Sequence, residues 1–210
     1  MNKVLILLSL FFGSSVLAQQ KQLTSAEALA VRQNVREMAN RTTSIESDFV
    51  QEKEMSVIAE KITSKGKFLF KKEKMLRWEY ISPFPYLIII NKDQMLVRDE
   101  NKENRMNLQS STVFREVNSI LMGAVQGTLL SDIKNFSSTL FESKSHYLCK
   151  LIPLNARIKE SIGEIRLYFD KTDFTVDKLE MRESSGDYTR ITFSSKKINS
   201  TIPDEKFALQ

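Results

Sequence analysis

Between Lys65 and Ile90 the chain alternates with a period of two, and that rhythm limits it to a sheet. Lys65-Gly66-Lys67-Phe68-Leu69-Phe70 sets large apolar residues against lysines and then breaks at Lys71-Lys72-Glu73-Lys74. Leu76-Arg77-Trp78-Glu79-Tyr80 resumes the alternation, with Leu76, Trp78 and Tyr80 on one side and Arg77 and Glu79 on the other. Successive side chains point to opposite faces of a strand, so these runs predict two half-buried strands joined by a charged hairpin. Pro83 and Pro85 stop the second strand, because proline lacks the ladder donor. Tyr86-Leu87-Ile88-Ile89-Ile90 follows as a third strand, apolar on both faces. Such a strand needs a cover on each side, or borders a cavity on one.

The rest of the chain supplies the cover and more wall. Thr24 with Glu27 forms a capping box ahead of Ala28, Val31, Val35 and Met38, which predicts an amphipathic helix ending near Asn40-Arg41. Ser47 to Lys53 starts the sheet, with Val57-Ile58-Ala59 continuing it, and Gln94 to Asp99 is a strand after the Asn91-Lys92-Asp93 turn. Asn101 to Asn107 reads as a polar loop ending in a short extended piece around Met106 and Leu108. From Thr112 the period lengthens to about 3.6. Val113, Val117, Ile120 and Leu121 share a helical face, and Gly123 is placed to cap its end. A further helical turn over 124–130 would follow. This insertion either closes the sheet's open side permanently or moves as a lid. Phe136 to Glu142, Tyr147 to Leu151, Ile162 to Phe169, Phe174 to Met181 and Tyr188 to Phe193 are five more strands. Together they predict a mainly β chain with helices (α+β), as one large curved antiparallel sheet or an open barrel. Phe207 would tuck under the sheet edge.

Residues 1–18 read as a cleavable export signal. Lys3, the apolar run Val4 to Phe12 and the small residues ending at Ala18 have the required order. The run is shorter than the roughly 20 residues a spanning helix needs. Residues 19–210 then form a single exported domain without an acylation cysteine at its start. Without Lys3 the 31 basic residues become 30 against 26 acidic ones, a mild excess that suits anionic partners but not nucleic acid in particular. One cysteine, Cys149, rules out an internal disulfide framework.

Reactive chemistry is sparse. His146 is the one histidine, so any Ser-His-Asp or Cys-His arrangement must use it, and Cys149 three residues on points to the opposite strand face. One histidine and one cysteine cannot supply the clusters that metal sites use. No glycine-rich phosphate loop is present, and no cofactor is expected. Trp78 and Tyr80 among lysines are core aromatics of a strand before they are a nucleic-acid platform.

Gly66-x-Phe68-x-Phe70, a basic turn, Leu76-Arg77-Trp78-Glu79-Tyr80, Pro83 and Ile88-Ile89-Ile90-Asn91 resemble the LolA family of periplasmic outer-membrane lipoprotein carriers. The resemblance implies an incomplete, strongly curved antiparallel β-barrel with a helical lid over an apolar cavity. It would place Phe49, Phe68, Phe70, Leu76, Trp78, Tyr80, Ile88 and Ile90 on the concave side, with Val117, Ile120 and Leu121 on the lid. The family has Arg-Pro before its tryptophan strand, the arginine fastening the lid through backbone carbonyls. Lys72-Glu73 stands there in this chain, leaving Lys72 or Arg77 as candidates for the latch. The resemblance further implies a monomeric, non-enzymatic carrier. It would take acylated lipoproteins from an inner-membrane lipoprotein-release ABC transporter to an outer-membrane receptor or acceptor membrane. The alternatives are a regulatory domain of the same fold that senses a lipid or partner, a carrier of another acylated or glycolipid cargo, and an enzyme acting on lipids or glycans.

Overall fold

The computed structural model describes residues 20–57, 60–72, 74–110, 119–120 and 122–209. Twelve strands form one sheet, all neighbours antiparallel: β1 (Lys21–Gln22), β2 (Ser44–Met55), β3 (Glu60–Lys71), β4 (Met75–Ser82), β5 (Tyr86–Asn91), β6 (Gln94–Arg98), β7 (Glu103–Asn107), β8 (Phe136–Glu142), β9 (His146–Pro153), β10 (Ile162–Asp170), β11 (Val176–Glu183) and β12 (Tyr188–Ile198). Their order is β1-β8-β9-β10-β11-β12-β2-β3-β4-β5-β6-β7, so β1 and β7 are free edges and the barrel is not closed. Laid flat, twelve strands spaced about 4.8 Å apart would hold the edges roughly 50 Å from each other. Yet Met95 and Val97 of β6 share one hydrophobic cluster with Leu140 of β8 and Cys149 of β9. The sheet therefore curls, and its inner face is the core.

The helix α1 (Ser25–Arg41) fills the curl. Its capping box forms as the sequence predicts: the Thr24 hydroxyl accepts from the Glu27 N–H, and Glu27 Oε2 accepts from the Thr24 N–H at 2.8 Å. Ala28, Val31 and Val35 are its buried stripe. The outer face of β3–β6 has its own cover. Phe207 and Ile202, from the C-terminal segment, bury Met75, Ile89 and Leu96 there, which accounts for the two-faced apolar β5. Phe207 thus lies across an outer face and does not tuck under a strand edge.

Several boundaries differ from the sequence expectation. Residues 103–107, read within a polar loop, pair with β6 as the edge strand β7. Val57 lies in the β2–β3 turn, while Ile58 and Ala59 fall outside the described residues. Gly123 does not end a helix: residues 119–120 and 122–125 are helical, and the left-handed position is Gly127 (φ +66°), whose N–H donates to Ala124 O at 3.3 Å. Thr128–Ser131 then makes a 3-10 turn, and a short helix at Ala156–Ser161 had no counterpart in the sequence reading. Phe174 takes φ +56° in the turn before β11 instead of opening the strand. β12 runs past Phe193 to Ile198.

Candidate functional site

The inner wall is aromatic at its centre. Phe49 lies opposite Gly66, and Gly66 opposite Tyr80, so the ring of Phe49 crosses the gap that the glycine leaves. Its centroid is 4.8 Å from Trp78 and 5.1 Å from Tyr80. Phe68 stands 5.2 Å from Trp78 and 5.6 Å from Phe193. Edge-on and tilted contacts of this kind favour aromatic pairs beyond their area. The Tyr80 hydroxyl donates to Gln51 Oε1 at 2.9 Å, and burial pushes its phenol up to about 12.

All eight residues expected on the concave side belong to this inner core. Phe49, Phe68, Phe70, Leu76, Trp78 and Ile90 are buried in it, and Tyr80 and Ile88 pack against it half-buried. Ile120 also packs on it, whereas Val117 and Leu121 lie outside the described residues. The two latch candidates separate. The Lys72 ammonium donates to Asn40 O at the end of α1, and its backbone N–H donates to Thr43 O at 2.8 Å. Arg77 is on the outer face, paired with Glu79 at 2.9 Å and donating to Lys206 O at 3.3 Å.

Arg32 had drawn no attention in the sequence. It projects from α1, its Nε donating to Leu130 O at 3.0 Å and its Nη2 to Ser138 Oγ at 2.9 Å. Arg36 Nη2 reaches Ser131 Oγ at 3.1 Å. These bonds tie α1 to the 3-10 turn that follows Gly127. Helical spacing alone shows two arginines a turn apart on one face, but not what they reach.

Among the described residues, a void of about 40 Å³ lies between helices and sheet. That holds a water or so and no hydrocarbon tail. Val35, Met38 and Ala39 of α1 form its roof with Ala124 and Val125, and its walls include Phe68, Phe169, Phe174 and Phe193. The last three come from the second half of the chain and were not singled out by sequence.

One corner of the void is polar. Ser47 lines it, is 2% exposed, and its hydroxyl finds no hydrogen-bond partner among the described residues. Opposite Ser47, β12 carries an extra residue: Ser194 pairs with Asp48 and Lys197 with Glu46, and Ser195 has φ +53°. Strict alternation from the inward Phe193 would send Lys196 outward. The bulge turns it to the void instead. Its ammonium bonds Thr175 Oγ1 and Asp177 Oδ1 and lies 3.8 Å from Asp173.

A hydrogen-bonded Ser-His-Asp chain does exist. Ser145 Oγ is 2.8 Å from His146 Nδ1, and His146 Nε2 is 2.9 Å from Asp177 Oδ2. Ser145 is exposed on the β8–β9 turn, neither it nor His146 lines the void, and Lys196 shares the Asp177 carboxylate. A triad needs an oriented base beside a place for substrate. Here the carboxylate is divided between two partners and the serine faces solvent. Cys149 lies inside, fully buried, and burial pushes its thiol up to about 12. It is a core residue without thiolate character at neutral pH. No helix among the described residues is long and apolar enough to cross a membrane.

Residues 40–210 match the family model of the outer membrane lipoprotein carrier protein LolA. No curated protein matches the chain. Among solved structures, the Pseudomonas aeruginosa MucA/MucB complex aligns at TM-score 0.53 and 11% identity, over 87% of this chain and 60% of that one. An uncharacterized conserved protein from Thermus thermophilus aligns at 0.52 and 10%, over 86% and 92%. A LolA superfamily protein from Nitrosomonas europaea aligns at 0.44 and 12%, over 86% and 97%. At these identities the first two are likenesses of fold.

Proposed function

The chain belongs to the LolA family of outer membrane lipoprotein carrier proteins, and from that premise we propose that it is a periplasmic carrier of acylated lipoproteins. It takes them from an inner-membrane lipoprotein-release ABC transporter, hides their acyl chains under the helical cover, and yields them to an outer-membrane receptor or acceptor membrane. The export signal read at residues 1–18 supports the compartment.

The observation that carries the reading is the contrast between a largely apolar inner wall, aromatic at its centre, and a void of about 40 Å³. A void of that size is far smaller than an acyl chain, so loading requires the cover to move. Magnitudes allow it. Burial of a long acyl chain is worth about 0.8 kcal/mol per CH₂, on the order of 10 kcal/mol in all. The cover is fastened by the bonds of Lys72, Arg32 and Arg36, each worth about 1.5–3 kcal/mol at most as hydrogen bonds of charged groups. A chain's burial is of the same order as the four bonds together, so it can open them and they in turn can help to expel it.

The test is recovery of the protein from its native periplasm, with photo-crosslinking from positions 78 and 120 followed by mass spectrometry. Acylated polypeptides crosslinked at both positions are expected, with onward transfer to acceptor vesicles. Recovery without any acylated species counts against carriage. Stable capture of a membrane regulator without transfer would point to a sensing domain instead.

A further inference from the structure

We propose that the corner formed by Ser47 and Lys196 is a subsite for the carbonyl oxygen of a fatty acyl group, so that the chain lies under α1 with its polar end at the β12 bulge. This rests on the carrier reading and adds the ligand's orientation and the chemistry of its head. Two independent features converge there. A buried hydroxyl without a partner loses its water at a cost that a ligand acceptor would remove. The bulge brings a cation to the same corner, at a position where alternation would have sent it to the outer face. Most of the remaining lining is hydrocarbon and aromatic, including Val35, Met38, Phe68, Val125 and Phe193, while the Thr42 and Thr175 hydroxyls are already spent on Met38 O and Asp173. Among the residues that line the void, Ser47 is the one whose hydroxyl is left without a partner, so an oxygen-bearing end is best placed there and the methyl end in the apolar remainder. The Ser47 O–H donates to the carbonyl oxygen. Lys196, held by Thr175 and Asp177, stands by as a second donor for a free carboxylate.

The shared chemistry, an acyl carbonyl, can come from a fatty acid or from an acyl ester, and the probes separate the two. Palmitoyl lysophosphatidylcholine, its carbonyl-free analogue hexadecylphosphocholine, and palmitate are titrated below their micelle concentrations into the full mature protein. The wild type is expected to prefer the palmitoyl ester to its carbonyl-free analogue by about 2- to 10-fold, the range of one net hydrogen bond. Ser47→Ala should erase that preference while leaving the analogue's affinity and the melting temperature unlowered. A palmitate advantage over the ester that disappears in Lys196→Gln identifies a free carboxylate as the head. Its absence identifies an ester. Equal binding of ester and analogue by the wild type overturns the subsite and leaves the carrier reading standing. So does a Ser47→Ala variant that weakens both alike. Failure of all three probes to bind overturns both.

Discussion

Gly66 shows how tightly one residue can be held by its neighbours. A Cβ there would fall 1.9 Å from the Glu79 carbonyl oxygen and 2.7 Å from the Phe49 ring. The backbone of β4 and the Phe49 ring both occupy the space, so Gly66→Ala should destabilise by about 1–3 kcal/mol, as overpacking does. Gly163 is the control, because a Cβ there meets nothing nearer than Arg182 O at 3.6 Å. Urea midpoints should therefore drop for Gly66→Ala and hold within about 0.5 kcal/mol for Gly163→Ala. Equal midpoints would show that Phe49 can leave its place at no cost. Cys149 offers a second reading at this scale. Its thiol is buried and pushed up to about 12 by burial, so a maleimide at pH 7.5 should leave the native protein unmodified and label it fully in denaturant. Rapid native labelling would contradict the packing of β9 against α1 and β8.

At the scale of elements, what could be read from sequence is what neighbouring residues decide. The capping box of α1 needs only Thr24 and Glu27, and replacing Thr24 by Ala should cost about 1 kcal/mol of stability in thermal melts. The β3–β4 hairpin needs only its alternation, and Phe68, Trp78 and Tyr80 turn inward as the pattern demands. The site's other wall depends on partners far along the chain. β12 continues through Ser194 to Lys197 because β2 offers it a ladder, although that polar run carries no apolar alternation of its own to extend the strand past Phe193. Phe174 enters the void from a left-handed turn residue that periodicity assigned to a strand. Gly123 and Gly127 look alike in sequence. Only the packing of Leu129 on one, and of Val35 on the other, tells which of them is the turn. The latches are likewise long-range, with Arg32 bonding Leu130 and Ser138 roughly a hundred positions away. Arg32→Met keeps the apolar stem and removes those donors. It should speed acyl-probe entry about 10-fold while lowering stability by about 1–3 kcal/mol, read by stopped-flow fluorescence of Trp78. Unchanged entry would mean that the cover moves elsewhere.

The whole molecule sets an apolar hollow inside a face of charges that satisfy one another. Across the outer side of β10, β11, β12 and β2, Arg166, Glu180, Arg190 and Glu52 stand opposite each other in register. Glu180 is only 5% exposed. Burial alone would raise its carboxyl, but the Tyr168 hydroxyl and the Lys178 ammonium more than offset that and hold it below the usual range. Glu164 is lowered in the same way, burial being outweighed by Lys150 and Arg166. A carboxyl depressed in the folded state binds fewer protons than in the unfolded one. Its stabilisation is therefore complete above the unfolded value near 4.5 and is lost as pH falls below it through the folded value. Stability should be flat from about pH 6 to 8 and fall below about pH 4.5. Glu180→Gln should be less stable at neutral pH, since Arg190 and Lys178 lose their shared anion, and its acid slope should be shallower. Chemical denaturation of both proteins across pH 3 to 8 measures each quantity. An identical acid slope in the variant would show that Glu180 is not among the charges that hold this wall in its curve.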